Sequence, residues 1–210
     1  MNWETLCDVS GVNVSRETFS RLEAFSNDFH IWADRINLVA PSTREEFWHR
    51  HVVDSLQLLN LRQTERHWVD LGSGGGFPGM VVAIALAEAN DSRVTLVESN
   101  RKKCGFLQVA KAKYAPQAQV LPMRINEALP QIDPPQVVTA RALAELDILL
   151  EMTQQWLSTG SVGLFMKGRE YVGEVEKSRT KWGFDLVVYN SRTAPDSAIL
   201  EVSQLTAIGS

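Results

Sequence analysis

Apolar residues early in the chain recur at helical spacing. Phe19, Leu22, Phe25, Phe29, Trp32 and Ile36 fall three or four apart, one stripe of a helix over 15–37. This spacing marks them as packing residues. Ser15 stands where an N-cap is needed, since its hydroxyl can accept a first-turn N–H. A connecting loop follows over 37–41. Ser42-Thr43-Arg44-Glu45 then fits a capping box, in which serine oxygen and glutamate carboxylate each accept a backbone N–H. It predicts a second helix over 43–60.

From residue 67 the pattern changes. Short apolar, β-branched runs alternate with helical stretches. Strands are expected over 67–71, 93–98, 118–123, 136–140, 161–166, 184–190 and 198–202, with helices over 80–89, 101–114, 145–157 and 170–182. Such alternation predicts βαβ units and a mostly parallel seven-stranded sheet covered on both faces. The short connection between the last two strands predicts that one of them runs antiparallel. The expected organisation is α/β, with a helical extension over 1–62 and a sheet domain over 63–210 forming one unit.

Composition narrows the class. The chain has 210 residues, 44% hydrophobic and 22% charged, which suits one folded domain and excludes global disorder. Cys7 and Cys104 make neither a disulfide framework nor a zinc site. His30, His49 and His67 lack partners at metal-ligand spacing, so no metal is expected. The start of the chain has no basic stretch followed by an apolar one, and the longest apolar run, 80–87, is too short for a bilayer. The expectation is a cytoplasmic protein that does not meet a membrane. A formal net charge of −4 argues against a general nucleic-acid coat but allows one basic face.

The segment Asp70-Leu71-Gly72-Ser73-Gly74-Gly75-Gly76-Phe77-Pro78-Gly79 carries most of the chemistry. It follows a strand and opens a helix, where glycines let backbone approach a ligand. A triphosphate loop would end in Gly-Lys-Ser/Thr, but Met80 follows Gly79. Gly74, Gly76 and Gly79 match the dinucleotide spacing. Asp70, Gly72, Gly74 and Gly76 match the acidic-x-G-x-G-x-G loop of S-adenosylmethionine-dependent methyltransferases. The loop alone leaves both open. A carboxylate at Asp70 suits a cofactor with an ammonium group and would repel a pyrophosphate. Glu98, ending the second strand, can accept ribose hydroxyls from either cofactor.

The acceptor side is sparser. Cys104 lies within a helix beside Lys103, so a thiol nucleophile is not expected. Asp133-Pro134-Pro135-Gln136 lacks an aromatic residue for base stacking and reads as a loop. Arg141 ends the fourth strand at the ligand edge of such a sheet, where a cation can orient a carboxylate, hold phosphate or bond a guanine edge. Its alternative is an ion pair with Glu145. A ring nitrogen such as guanine N7 bears a free lone pair and needs no base, which agrees with this sparse set.

Several segments together resemble one family. Arg50-His51-Val52-Val53-Asp54-Ser55, the run from Asp70 to Gly79, Thr139-Ala140-Arg141-Ala142 and Lys167-Gly168 occur in the order and spacing of the ribosomal RNA small subunit methyltransferase G family, with Asn37-Leu38-Val39-Ala40-Pro41 similar to its helix-linking loop. The resemblance covers about residues 30–200. It implies a Rossmann-like class I fold with an N-terminal helical extension, S-adenosylmethionine as donor, and N7 methylation of one guanosine near the decoding region of 16S ribosomal RNA by a monomer. It implies cofactor contacts from Gly72, Phe77, Ile125 and Asn126, joined by Asp70, Gly74 and Glu98. Arg141 would touch cofactor or target base as the catalytic residue, with His51, Asp54, Ser55 and Lys167 on the substrate side.

Two departures stand out. The family commonly has glutamate where Asn126 stands, and Glu127 follows it here. The family also carries an arginine just before the last strand, where this chain reads Asp196-Ser197-Ala198-Ile199-Leu200. Three rivals therefore stay open: a methyltransferase for a non-RNA acceptor, a nicotinamide-dependent oxidoreductase, and a non-catalytic ribosome- or RNA-binding protein. Arg101, Lys102, Lys103, Lys111 and Lys113 could join Lys167, Arg169, Lys177, Arg179 and Lys181 in one RNA track, or form solvated helix faces.

Overall fold

The computed structural model describes residues 1–40 and 44–209. Ser42 and Thr43 of the expected capping box lie outside the described residues. Helix α1 (Trp3–Ser10) is too short to show a periodic stripe. It is closed by Asn2, which accepts the Thr5 N–H at 2.8 Å, and by Gly11 at φ 74°. Helix α2 (Arg16–Ala33) starts on Ser15, whose hydroxyl accepts the Thr18 N–H at 2.9 Å. It ends earlier than the expected 37, because Arg35 and Ile36 both turn back to bond the Trp32 carbonyl.

The second expected helix is two structures. Phe47–Val53 is a π-helical turn, and α3 (Asp54–Leu61) continues from it as an α-helix. A wider first turn changes which side chains share a face, and nothing in a 3.6-residue pattern reveals it.

Strands β1 (His67–Leu71), β2 (Arg93–Val97), β3 (Gln119–Leu121), β4 (Val137–Arg141), β5 (Val162–Lys167), β6 (Trp182–Asn190) and β7 (Ala198–Ala207) form one sheet in the order β3-β2-β1-β4-β5-β7-β6. β7 runs antiparallel to both β5 and β6, which is the reversal the short final connection predicts. β1 pairs in parallel with β2 on one side and β4 on the other. The strand order reverses there, so the carboxyl ends of β1 and β4 open a crevice.

Alternation along each strand sorts the two faces. Trp68, Val94, Leu96, Val137, Leu164 and Ile199 pack with α2, α3, α4 (Gly79–Ala85) and α5 (Arg101–Tyr114). Val69, Leu71, Val97, Val138, Phe165 and Leu200 pack with α7 (Leu146–Leu157), while α8 (Tyr171–Ser178) and the single turn α6 (Ile125–Ala128) add Tyr171, Val175 and Ile125. α4 is shorter than the expected 80–89: it stops at Ala85, and Leu86 to Asp91 turn back toward β2. Phe25 joins α2 to the π-helical turn, the glycine loop and α5 through ring contacts with Phe47, Phe77 and Phe106 at 6.2, 6.0 and 5.9 Å. Helix α2 therefore bears directly on the loop that follows β1.

Candidate active site

A cavity of about 760 Å³ opens at the crevice between β1 and β4. Its size suits a nucleoside-sized ligand with room for part of an acceptor. Gly72, Gly74 and Phe77 line it from the glycine loop, His51 and Asp54 from the π-helical turn and α3, Arg141 from β4 and Lys167 from β5.

The loop is anchored through its backbone. Gly72 and Ser73 both donate to the Val97 carbonyl, at 2.9 and 3.0 Å, which anchors the turn on β2. Gly72 sits at φ 69°, and a Cβ there would lie 2.8 Å from Leu143 Cδ1. Across the crevice Ala142, just after Arg141, is held at φ 51°. A non-glycine residue in this left-handed region is costly, and here it turns the chain as β4 ends.

Asp70 does not face the cavity. Strand alternation turns it toward α4, where Oδ2 accepts the Gly79 N–H at 3.1 Å and Oδ1 accepts the Thr139 hydroxyl at 2.8 Å. Burial pushes its carboxyl up to about 6, against the hydrogen bonds that favour the ion. Asp70 thus ties β1 to β4 and to the start of α4. Glu98 borders the loop: Oε2 accepts the Gly74 N–H at 2.8 Å and Oε1 the Asn100 N–H at 2.7 Å. Ile125 is partly buried against the core on the α7 face of the sheet and Asn126 is exposed, and neither lines the cavity.

Three of the expected residues converge. Arg141 Nη2 bonds His51 Nδ1 at 2.9 Å, and Arg141 Nη1 lies 3.6 Å from Asp54 Oδ2. His51 in turn lies flat on Phe77, ring centroids 4.6 Å apart. Donation to Nδ1 requires that this nitrogen carry no proton. Arg141 Nη1 is buried and has no hydrogen-bond partner among the described residues. Burial lowers the guanidinium below the usual arginine range, Asp54 opposes the shift and Arg50 adds to it. Arg141 therefore does not pair with Glu145, which takes Lys177 instead.

The other two substrate-side candidates have different settings. Ser55 is buried and away from the cavity; its hydroxyl donates to the His51 carbonyl at 2.6 Å and fastens the turn. Lys167 lines the cavity, yet its ammonium donates to the Ala144 carbonyl and Glu174 Oε2, both at 2.6 Å.

Sequence reasoning misses the connection between β6 and β7. Ser191 and Thr193 line the cavity and both donate to Asp54 Oδ1. A hydroxyl pair in a loop between late strands is common, so its composition carries no signal. Several members of the expected RNA track are paired with carboxylates. Lys113 pairs with Asp28 at 2.7 Å, Arg169 with Asp196 at 2.8 Å and Lys181 with Asp147 at 3.3 Å. Lys103 alone of the α5 group reaches the cavity. Cys104 is buried and off the cavity, donating to the Glu98 carbonyl at 3.0 Å, and burial raises its thiol. It has no nucleophile's setting. Among the described residues there is no cluster of three or more metal-ligating side chains, and no helix is long and apolar enough to cross a membrane.

The family model described as GidB, rRNA small subunit methyltransferase G, matches residues 18–197. A ribosomal RNA small subunit methyltransferase G of Chelativorans sp. is 48% identical over 192 residues, covering 91% of each chain. The same-named protein of Rhizobium meliloti is 47% identical over 201 residues, covering 94% of each. Among solved structures, cofactor-bound Rv0187 from MTB aligns at TM-score 0.58 with 14% identity, covering 96% of this chain and 95% of that one. An O-methyltransferase from Bacillus cereus in complex with SAH aligns at TM-score 0.57 with 13% identity, covering 90% and 91%. At those identities the two structures speak to the fold alone.

Proposed function

The chain belongs to the rRNA small subunit methyltransferase G family, and from that premise we propose that it methylates N7 of one guanosine near the decoding region of 16S ribosomal RNA. It is an S-adenosylmethionine-dependent rRNA methyltransferase. The position on the RNA and the atom methylated are the proposal.

One observation carries the choice of N7. The carboxylates lining the cavity are those of Asp54, Glu145 and Glu174, and each already faces a cation: Arg141, Lys177 and Lys167. His51 Nδ1 is engaged by Arg141. No lining carboxylate is poised to take a proton from an amine or hydroxyl. A nucleophile with a free lone pair needs none.

The residues fit the donor. The backbone at Gly74, where an added Cβ would meet nothing closer than 3.7 Å, offers room for a ligand, and the unpartnered Nη1 of Arg141 offers a donor for an acceptor group. When bound, S-adenosylmethionine supplies a methyl group on a sulfonium sulfur, activated for in-line displacement. Gly72, Gly74 and Phe77 would hold it at the loop. Glu98 has the chemistry for ribose hydroxyls, and Ile125 and Asn126 follow β3 at the same sheet edge. Asp70 serves the same site by bracing the loop. Arg141 would orient the donor or the purine through Nη1, and an exclusion of water by Phe77 and Leu143 would favour those contacts. His51, Asp54 and Lys167 support the acceptor side, with Ser55 fastening the turn. The protein acts in the cytoplasm as a monomer on this reading.

The test uses purified protein, labelled donor, and small subunits or their naked RNA from cells lacking the mark. Label in 16S RNA is expected. Donor binding without transfer to any form of that RNA would overturn the assignment.

A further inference from the structure

We propose that Ser191 and Thr193 are positioning residues that aim Arg141 through Asp54. The inference rests on the reading of Arg141 as the residue that meets the ligand. Asp54 Oδ1 collects three donors: Gln57 Nε2 at 2.7 Å, Thr193 Oγ1 at 2.9 Å and Ser191 Oγ at 3.1 Å. They turn the carboxylate so that Oδ2 faces Arg141 Nη1, at 3.6 Å. That distance allows attraction of charge but is too long for a hydrogen bond. The guanidinium is thus held from two sides in different ways. His51 takes the N–H of Nη2, and Asp54 holds Nη1 by charge while leaving its hydrogens unspent.

This division matters chemically. A bidentate aspartate would spend N–H groups that Nη1 now leaves unpaired and so leave fewer to offer a ligand. Saturating Oδ1 from the other side prevents that closure. Without the two hydroxyls only Gln57 would hold Oδ1, which leaves Asp54 less constrained against rotating to close on Arg141. The linkage also reaches across the chain, because Gln57 Oε1 accepts the Arg192 N–H at 3.1 Å. The β6–β7 connection and α3 are therefore stitched together behind the guanidinium. Since Ser191 and Thr193 themselves line the cavity, whatever displaces this connection changes the aim of Arg141.

The experiment compares the full chain with Ser191→Ala/Thr193→Val, Thr193→Ser and Arg141→Ala. The first readout is methyl transfer. A kcat loss of about tenfold is expected in the double variant, with KM for RNA and the melting temperature little changed, and recovery in Thr193→Ser. In the Arg141→Ala background the hydroxyl substitutions are expected to cost nothing further, because they act through that residue. Additive losses would overturn the proposal. The second readout needs no RNA: arginine side-chain NMR of the S-adenosylhomocysteine complex, in which the Arg141 signal is assigned by its absence from Arg141→Ala. Measurable guanidinium rotation in the natural chain and slower rotation in the double variant, where Asp54 closes on the fork, are expected. Unchanged rotation would overturn the proposal even if transfer falls. Changed rotation in a protein that methylates no 16S RNA would leave the positioning intact and defeat the RNA reading instead.

Discussion

The His51 ring lies flat on Phe77, with centroids 4.6 Å apart and planes 22° from parallel. This contact joins the π-helical turn to the glycine loop, two segments separated by the whole of α3 and β1 in sequence. It also fixes the imidazole whose Nδ1 accepts from Arg141. His51→Phe keeps a ring on Phe77 but strands the Nη2 donor. It is expected to lower kcat/KM at least tenfold and to cost about 1–3 kcal/mol of stability. His51→Ala adds a cavity among Phe29, Phe47 and Phe77 and is expected to cost more, roughly 2–4 kcal/mol. Denaturant unfolding and steady-state transfer separate the two.

Asp70 makes stability pH-dependent in a direction unusual for a carboxylate. Its pKa rises from 3.8 to about 6 on folding, so between those values the folded chain binds more proton than the unfolded one. The favourable contribution is complete below the unfolded pKa and is lost as pH rises through about 6. The shift is worth roughly 3 kcal/mol. Asp70→Asn removes it. The stability of the natural chain relative to this variant is expected to fall by that order between pH 4 and pH 7, measured by urea unfolding. A flat difference would show that Asp70 is ionised throughout.

Gly79 is expected to tolerate no side chain. A Cβ there would lie 2.5 Å from Asp70 Oδ2 and 2.6 Å from Asp70 Cβ, and both sit on a buried strand. Alanine usually favours a helix over glycine, but the overlap forces strand and helix apart. Gly79→Ala is expected to lose about 1–3 kcal/mol and to weaken donor binding. Calorimetry with S-adenosylhomocysteine checks the second effect.

Cys104 is expected to be inert. Its thiol is buried and raised by that burial, whereas Cys7 is partly exposed. Under native conditions a maleimide should label Cys7 and spare Cys104, and Cys104→Ala should keep transfer within about twofold. Loss of transfer in that variant would restore the thiol as a participant.

Much of this architecture is legible in the residues. β1 is found at the expected 67–71, because alternation around Asp70 and the following glycines mark both its ends. The first core stripe is right in kind: Leu22, Phe25 and Phe29 are fully buried. The π-helical turn is not legible, since its residues also satisfy an α-helical pattern. Neither is α1, which has two turns and no repeat.

The candidate site divides in the same way. Arg141, His51 and Asp54 are all named by the family's motifs, although the Arg141–His51 contact spans ninety residues of chain. Glycine spacing locates the loop but does not reveal that Asp70 faces α4. That follows from strand alternation, which assigns Asp70 to the face of Trp68. The hydroxyls of Ser191 and Thr193 matter only through a tertiary contact with Asp54, and no local pattern reports that. Likewise no local pattern reports that some of the basic residues meet carboxylates distant in sequence, such as Asp28 and Asp147.

The central claim is that Arg141 serves methylation of a guanine ring nitrogen that needs no base. It is tested most directly by treating donor-exposed small-subunit RNA with a reagent that cleaves only at N7-methylguanosine. The account predicts one cleavage near the decoding region, weakened at least thirtyfold by Arg141→Ala and unaffected by Cys104→Ala. Label that enters the RNA without producing such a cleavage would place the methyl group on another atom and contradict the account.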